Sequence, residues 1–237
     1  MFPVKDNIPL ARFPLVTVLL IGLNVLAYVL EVRHGGSFLG GPSVEVARHY
    51  GAAPHVLTHS SSLARWKTAV TSLFVYGSFL HLLGNMAFLA LFGPAVEDAT
   101  GRMRFSAFYL LGGLLALGVQ IAVQPSSSIP VLGSSGAVAA VLGGYLLLHP
   151  RAQVISLATI PFMFTLVDVP AVLLIALWLP EQLYIYLAGL ASAGAGGDSA
   201  SELAGYLTHV GCVVFGLLAV RLFSARRSGR PPLLAVY

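Results

Sequence analysis

The chain is divided into apolar stretches long enough to cross a bilayer, and this feature most narrows what it can fold into. Six segments, at 14–32, 79–96, 105–123, 132–149, 168–188 and 203–222, stand out. They reach the ~17–25 residues that a spanning helix needs, allowing for polar ends. Gly93-Pro94, Gln124-Pro125-Ser126, Pro150 and a glycine- and serine-rich run at 191–200 break them up, as turn-forming residues do. Charged residues make up 9% of the 237 positions and hydrophobic ones 57%, against roughly 25% charged in soluble domains. A soluble globular domain is excluded. Backbone groups in hydrocarbon must be satisfied within their own segment, so the expected fold class is an all-α membrane protein of six transmembrane helices.

Glu31-Val32-Arg33-His34 follows the first stretch where a signal peptide would show small residues at a cleavage site. The stretch therefore reads as a retained span. With the N-terminus placed in the cytoplasm, nine of the thirteen Lys and Arg residues fall on the cytoplasmic side: Lys5, Arg12, Arg102, Arg104, Arg151, Arg221, Arg226, Arg227 and Arg230. Arg33, Arg48, Arg65 and Lys67 fall opposite. That bias supports six spans with both termini inside. It also explains the net charge of +4 without nucleic acid as a partner. Residues 33–78 mix apolar side chains, charges and Trp66, the composition of an interfacial element. His55 and His59 have the i, i+4 spacing of metal ligands, but no further ligand pattern accompanies them, and no metal is expected. Cys212 is the single cysteine and reads as a small packing residue. Glu97 and Asp98 read as structural partners for Arg102 or Arg104.

Polar residues inside apolar spans are expensive and point to function. Ser135 lies within Gly133-Ser134-Ser135-Gly136, His209 within the last span, and His81 and Asn85 four residues apart in the second. Ser135 is fourteen residues from His149 and sixteen from Arg151, roughly 21–24 Å along a helix. His209 is twelve residues from Arg221, roughly 18 Å. His81 and Asn85 sit in the first turns of a span that enters from the other side. All three sites fall at one level in the outer half of a ~30 Å hydrocarbon layer. Gly205, His209, Cys212 and Gly216 share one helix face, and Gly136, Ala140 and Gly144 form a ridge of small residues that permits close helix packing. A histidine can take the proton that makes a serine hydroxyl nucleophilic. His81 and Asn85, with the Ser135 amide, supply donors for an oxyanion. Asp168 lies toward the opposite face, and Glu181, Asp198 and Glu202 lie near the outer surface. The pattern is therefore a Ser-His dyad.

These residues resemble the rhomboid family of intramembrane serine proteases. The resemblance rests on Phe79-Leu80-His81-Leu82-Leu83-Gly84-Asn85, Val96-Glu97-Asp98-Ala99-Thr100-Gly101, Gly133-Ser134-Ser135-Gly136 and His209-Val210-Gly211; Trp66-Lys67 stands where the family places Trp-Arg. It implies Ser135 as nucleophile, His209 as general base, His81 and Asn85 in the oxyanion site, and neither metal nor cofactor. It implies transmembrane segments of other proteins as substrates, cut near their outer end, with the fifth span and the loop at 189–200 as gate and cap. Departures are Cys212 where a second glycine is frequent, Tyr76 where some members carry a further histidine, and Ala139 where some carry an aromatic. The chain then divides into a cytoplasmic segment (1–13), a catalytic domain (14–223) and a cytoplasmic basic tail (224–237). Small size, the absence of a targeting extension and the charge bias lead to a prokaryotic plasma membrane. The alternative is a non-catalytic relative that binds transmembrane helices. A transporter has less behind it, since no inverted repeat is visible. Oligomeric state and physiological substrate stay open.

Overall fold

The computed structural model describes residues 2–60, 62, 66–160, 163–178 and 199–224. Strand β1 (Phe2–Asp6) is followed by helix α1 (Leu15–Arg33) and by a loop carrying α2 (Val44–Tyr50), α3 (Pro54–His59), α4 (Thr68–Thr71) and a 3-10 turn (Ser72–Phe74). Two long helices come next, α5 (Phe79–Thr100) and α6 (Arg102–Val123), then a shorter one, α7 (Ser135–Leu148). A hairpin of β2 (Gln153–Ile160) and β3 (Met163–Pro170) leads into α8 (171–178), and α9 (Ser199–Phe223) ends the described chain.

The core is α7. Every residue from Gly136 to Tyr145 is buried, as expected of a helix that is apolar all round, and it packs against α5, α6 and α9. Its contact with α9 is backbone on backbone. A Cβ added at Gly143 would strike the Val213 carbonyl, and one at Gly216 would strike the Ala140 carbonyl. The small ridge expected at Gly136, Ala140 and Gly144 is thus met by Cys212, Gly216 and Val220.

Helix α1 depends on α5 for its start. Pro14 offers no side-chain cap, and the first amides of any helix lack an intrahelical acceptor. The buried Glu97 carboxylate supplies one, accepting from Val16 N at 3.0 Å, Thr17 N at 2.8 Å and Thr17 Oγ1 at 2.8 Å. Asp98 Oδ2 accepts from Ala11 N at 3.2 Å. Glu97, expected to answer Arg102 or Arg104, caps a neighbouring helix instead. Those arginines reach the carbonyls of Phe13 and Ser224. The turn between α5 and α6 rests on Gly101, whose φ of +85° suits glycine.

Two expectations are corrected. The protein is mostly helical but not all-α: β1, β2 and β3 form an antiparallel sheet in that order. The residues of β2 and β3 alternate in exposure, with Val154 and Ser156 buried and Leu166 63% exposed. Their Val, Ile and Thr content suits a pleated, half-buried surface. Strand β3 runs into α8 with no loop between them, so 168–188 reads as one stretch. Residues 168–170 are strand and the helix begins at 171, just after Pro170, a residue suited to a helix start. Positions 179–188 lie outside the described residues, as does most of 189–200.

Among the described residues four helical stretches are long and apolar enough to cross a membrane: Leu15–Arg33, Phe79–Thr100, Arg102–Val123 and Gly205–Phe223. The segment read as a fourth span is a helix of 14 residues, about 21 Å long. The sheet joins the bundle at the end where α1 starts and α7 finishes. Tyr145 donates to Asp6 Oδ2 at 2.9 Å, and burial there pushes the Asp6 carboxyl above its usual range.

Candidate active site

Because α7 is short, the loop at 124–134 must descend into the bundle to reach it. The descent is pinned by backbone bonds: Val131 pairs with Ala52 in both directions, at 3.0 and 3.2 Å, and Gly133 N donates to the Ser72 carbonyl at 2.9 Å. Gly133 has a φ of +97°. A Cβ there would lie 2.7 Å from His81 Cε1. Glycine is therefore required twice, for the turn and for the imidazole laid against it.

Ser135 is the first residue of α7 and is half-buried. Its amide, and those of Gly136 and Ala137, precede the first intrahelical bond, from Val138 N to the Ser134 carbonyl. These amides have no acceptor among the described residues, and together with the positive end of the helix dipole they favour an anion beside Ser135. Gly136 faces Ala116 of α6 and Cys212 of α9, with Cys212 Sγ 3.4 Å from where its Cβ would be. Ala116 is seven residues from the end of α6, so this level lies about 10 Å inside the bundle.

His209 stands one turn before Cys212 on α9 and is half-buried. The Trp178 ring meets it edge-on, with centroids 5.4 Å apart. His81 is near enough to interact with it electrostatically. Among the described residues no hydrogen bond joins Ser135 to His209, and no carboxylate bonds either histidine; catalytic hydrogen bonds are often long in a protein without substrate. Asn85 is 8% exposed and donates from Nδ2 to the His81 carbonyl at 2.8 Å, which leaves its second amide hydrogen for another acceptor. Loop 124–134 and helices α5, α7 and α9 thus bring together Gly133, His81, Ser135, Gly136 and His209. The rings of His55 and His59 lie tilted to one another with centroids 4.3 Å apart, on α3 and outside this group.

One cluster was not foreseen. Behind Ser135 the buried Ser134 hydroxyl lies 2.5 Å from Tyr76 Oη, and Tyr76 donates to Asn24 Oδ1 at 2.9 Å. Asn24, wholly buried on α1, donates in turn to the Leu20 carbonyl. The buried Tyr109 hydroxyl stands beside Ser134 and Asn24 and meets no partner at hydrogen-bond geometry among the described residues. The Tyr76 ring also meets His81 edge-on, with centroids 5.3 Å apart. The signal available in the sequence was Asn24 in the middle of an apolar span.

Comparison with known proteins gives a match to the Rhomboid domain family over residues 63–226. The chain is similar to RHOMBOID-like protein 5 of Arabidopsis thaliana, 32% identical over 46% of this chain and 35% of that one. It is also similar to a candidate rhomboid protease, YdcA, of Bacillus subtilis (strain 168), 32% identical over 34% and 40%. Rhomboid-like protein 11, chloroplastic, of Arabidopsis thaliana is 37% identical over 31% and 26%. The chain spans well under half the length of each of these relatives.

Proposed function

The chain belongs to the rhomboid family, and from that premise we propose that it is an intramembrane serine endopeptidase. Ser135 Oγ attacks the scissile carbonyl of a substrate's transmembrane segment. His209 takes the hydroxyl proton and later returns it to the leaving amine. The Ser135 amide, the second Nδ2 hydrogen of Asn85 and the His81 ring donate to the oxyanion of the tetrahedral intermediate. Water then hydrolyses the acyl-enzyme by the same proton route. No step calls for a metal or cofactor. The observation that carries this reading is the contact of Gly133 with His81 and of Gly136 with the turn after His209. That packing supports the assignment of Ser135 as nucleophile, His209 as base and His81 as an oxyanion donor.

The same reading has six spans with both termini cytoplasmic, an interfacial first loop, an N-terminal segment at 1–13 and a basic tail at 224–237. The membrane is a prokaryotic plasma membrane. Substrates are membrane proteins cut near the outer end of a transmembrane segment. Fluorophosphonate labelling tests the chemistry. Wild type should label, while Ser135→Ala and His209→Ala should not, at unchanged folding. Labelling of the Ser135→Ala protein removes Ser135 as the nucleophile, and no labelling of a well-folded wild type in bilayers favours a non-catalytic relative that binds transmembrane helices.

A further inference from the structure

We propose that the cleft between α1 and the first loop is a site for a phospholipid with a primary-ammonium headgroup. The cleft has a volume of about 670 Å³ and lies between Leu23, Ala27 and Leu30 on α1 and the residues of α2, α4 and the 3-10 turn. That size is typical of ligand sites. None of its lining belongs to the Ser135 group.

Three observations choose the occupant. Glu31 lines the cleft, is 5% exposed, and accepts from Tyr76 N at 3.4 Å on Oε2. Among the described residues its buried Oε1 has no hydrogen-bond partner. A buried carboxylate oxygen left unpaired is costly, and a ligand N–H removes that cost with a small turn of the carboxylate. The rim adds Glu45 from α2 and the imidazoles of His34 and His49. Two carboxylates answer an ammonium, and the His49 ring N–H can donate to a phosphate, while His34 Nδ1 is already bonded to the Leu30 carbonyl. An ethanolamine headgroup carries both of these groups. The third observation is the path leading out. Leu19, Leu23, Leu26 and Leu30 form an i, i+4, i+7, i+11 stripe on α1, exposed by 60, 48, 55 and 44%. With α1 as a spanning helix, that stripe lies along the acyl chains, so a lipid seated in the cleft leaves its tails in hydrocarbon. A soluble amine gains nothing from the stripe, and a peptide amine lacks the adjacent phosphate.

Native mass spectrometry of the detergent-purified full chain tests this with phosphatidylethanolamine, phosphatidylcholine and phosphatidylglycerol offered together. One phosphatidylethanolamine should be retained, at roughly tenfold preference, because the choline head has no N–H and the glycerol head no cation. Glu45→Gln, on the exposed rim, and Ala27→Phe, which fills the cleft, should each lower retention by roughly tenfold. Glu31→Gln should do the same if it folds, and the other two variants decide the matter if it does not. Equal retention of the three lipids overturns the proposal, as does wild-type retention by Glu45→Gln and Ala27→Phe. The readout involves no cleavage, so the result stands apart from the protease reading.

Discussion

Replacing Gly216 by alanine tests whether the seam between α7 and α9 sets the spacing of Ser135 and His209. The new Cβ would meet Gly144 N at 2.8 Å and the Ala140 carbonyl carbon at 2.9 Å, where ordinary contact begins at 3.4 Å. The helices must therefore part by at least 0.6 Å at Gly144 (3.4 minus 2.8), and further at the Ala140 carbonyl. Ala140 is five residues from Ser135 and Gly216 seven from His209, so the seam opens within two turns of the site. Overpacking of this kind costs about 1–3 kcal/mol of stability. A displacement near 1 Å at reacting groups costs about 100-fold in rate. The Gly216→Ala protein should thus lose roughly 1–3 kcal/mol in thermal unfolding and about 100-fold in its rate of fluorophosphonate inactivation. Gly118→Ala on α6 is the control, since nothing lies within 4 Å of its Cβ, and it should leave both quantities unchanged or raise stability by helix propensity. A Gly216→Ala protein with wild-type inactivation rate and wild-type melting would refute the seam argument.

Tyr76→Phe removes the hydroxyl between Ser134 and Asn24 but keeps the ring on His81. It should cost about 1–3 kcal/mol from the unpaired buried groups and slow Ser135 labelling about tenfold; unchanged labelling would confine the hydroxyl to a structural role. Glu97→Ala strips the acceptor from two amides at the start of α1 and should lower stability by about 2–3 kcal/mol, read by thermal unfolding in detergent, while Glu97→Gln should cost less. Burial raises the Asp6 carboxyl from its ordinary 3.8, against an opposing pull from the Tyr145 hydroxyl. The folded state then binds the proton more readily than the unfolded chain, so this group opposes folding at neutral pH. That opposition fades as pH falls through the raised value and is gone below the unfolded one. Wild type should gain stability relative to Asp6→Asn over that acidic window, and parallel melting curves against pH would count against it.

The helical part of the fold was legible because hydrocarbon-length apolar runs admit few alternatives, and α1, α5, α6 and α9 lie where those runs predicted. What escaped was the sheet. β2 and β3 are rich in the same Val, Ile, Leu and Phe that fill a span, and β3 joins α8 with no loop between them. Hydropathy therefore merged a strand with the helix after it. The residues of the proposed site stood out by type and setting, His209, His81 and Asn85 as polar groups inside apolar segments and Ser135 by its flanking glycines. Their supports were harder to see. Glu97 acts across space on α1, eighty residues earlier in the chain, and a local reading pairs it with the nearest arginine. Tyr76 looked like a missing histidine because its hydroxyl partners, Asn24 and Ser134, lie on two other elements.

The short α7 ties these features into one arrangement. A helix of 14 residues cannot reach both ends of a bundle whose neighbours have 22, so its start falls inside, together with unbonded amides. In hydrocarbon that placement is tolerable only where other protein groups or water satisfy the backbone. The loop above answers with bonds to Ser72 and Ala52, and the Asn24–Tyr76–Ser134 chain occupies the polar atoms behind the helix start. Among the described residues the donors left over are the amides of Ser135, Gly136 and Ala137. Under the proposed function, these unanswered amides are the ones a developing oxyanion would use.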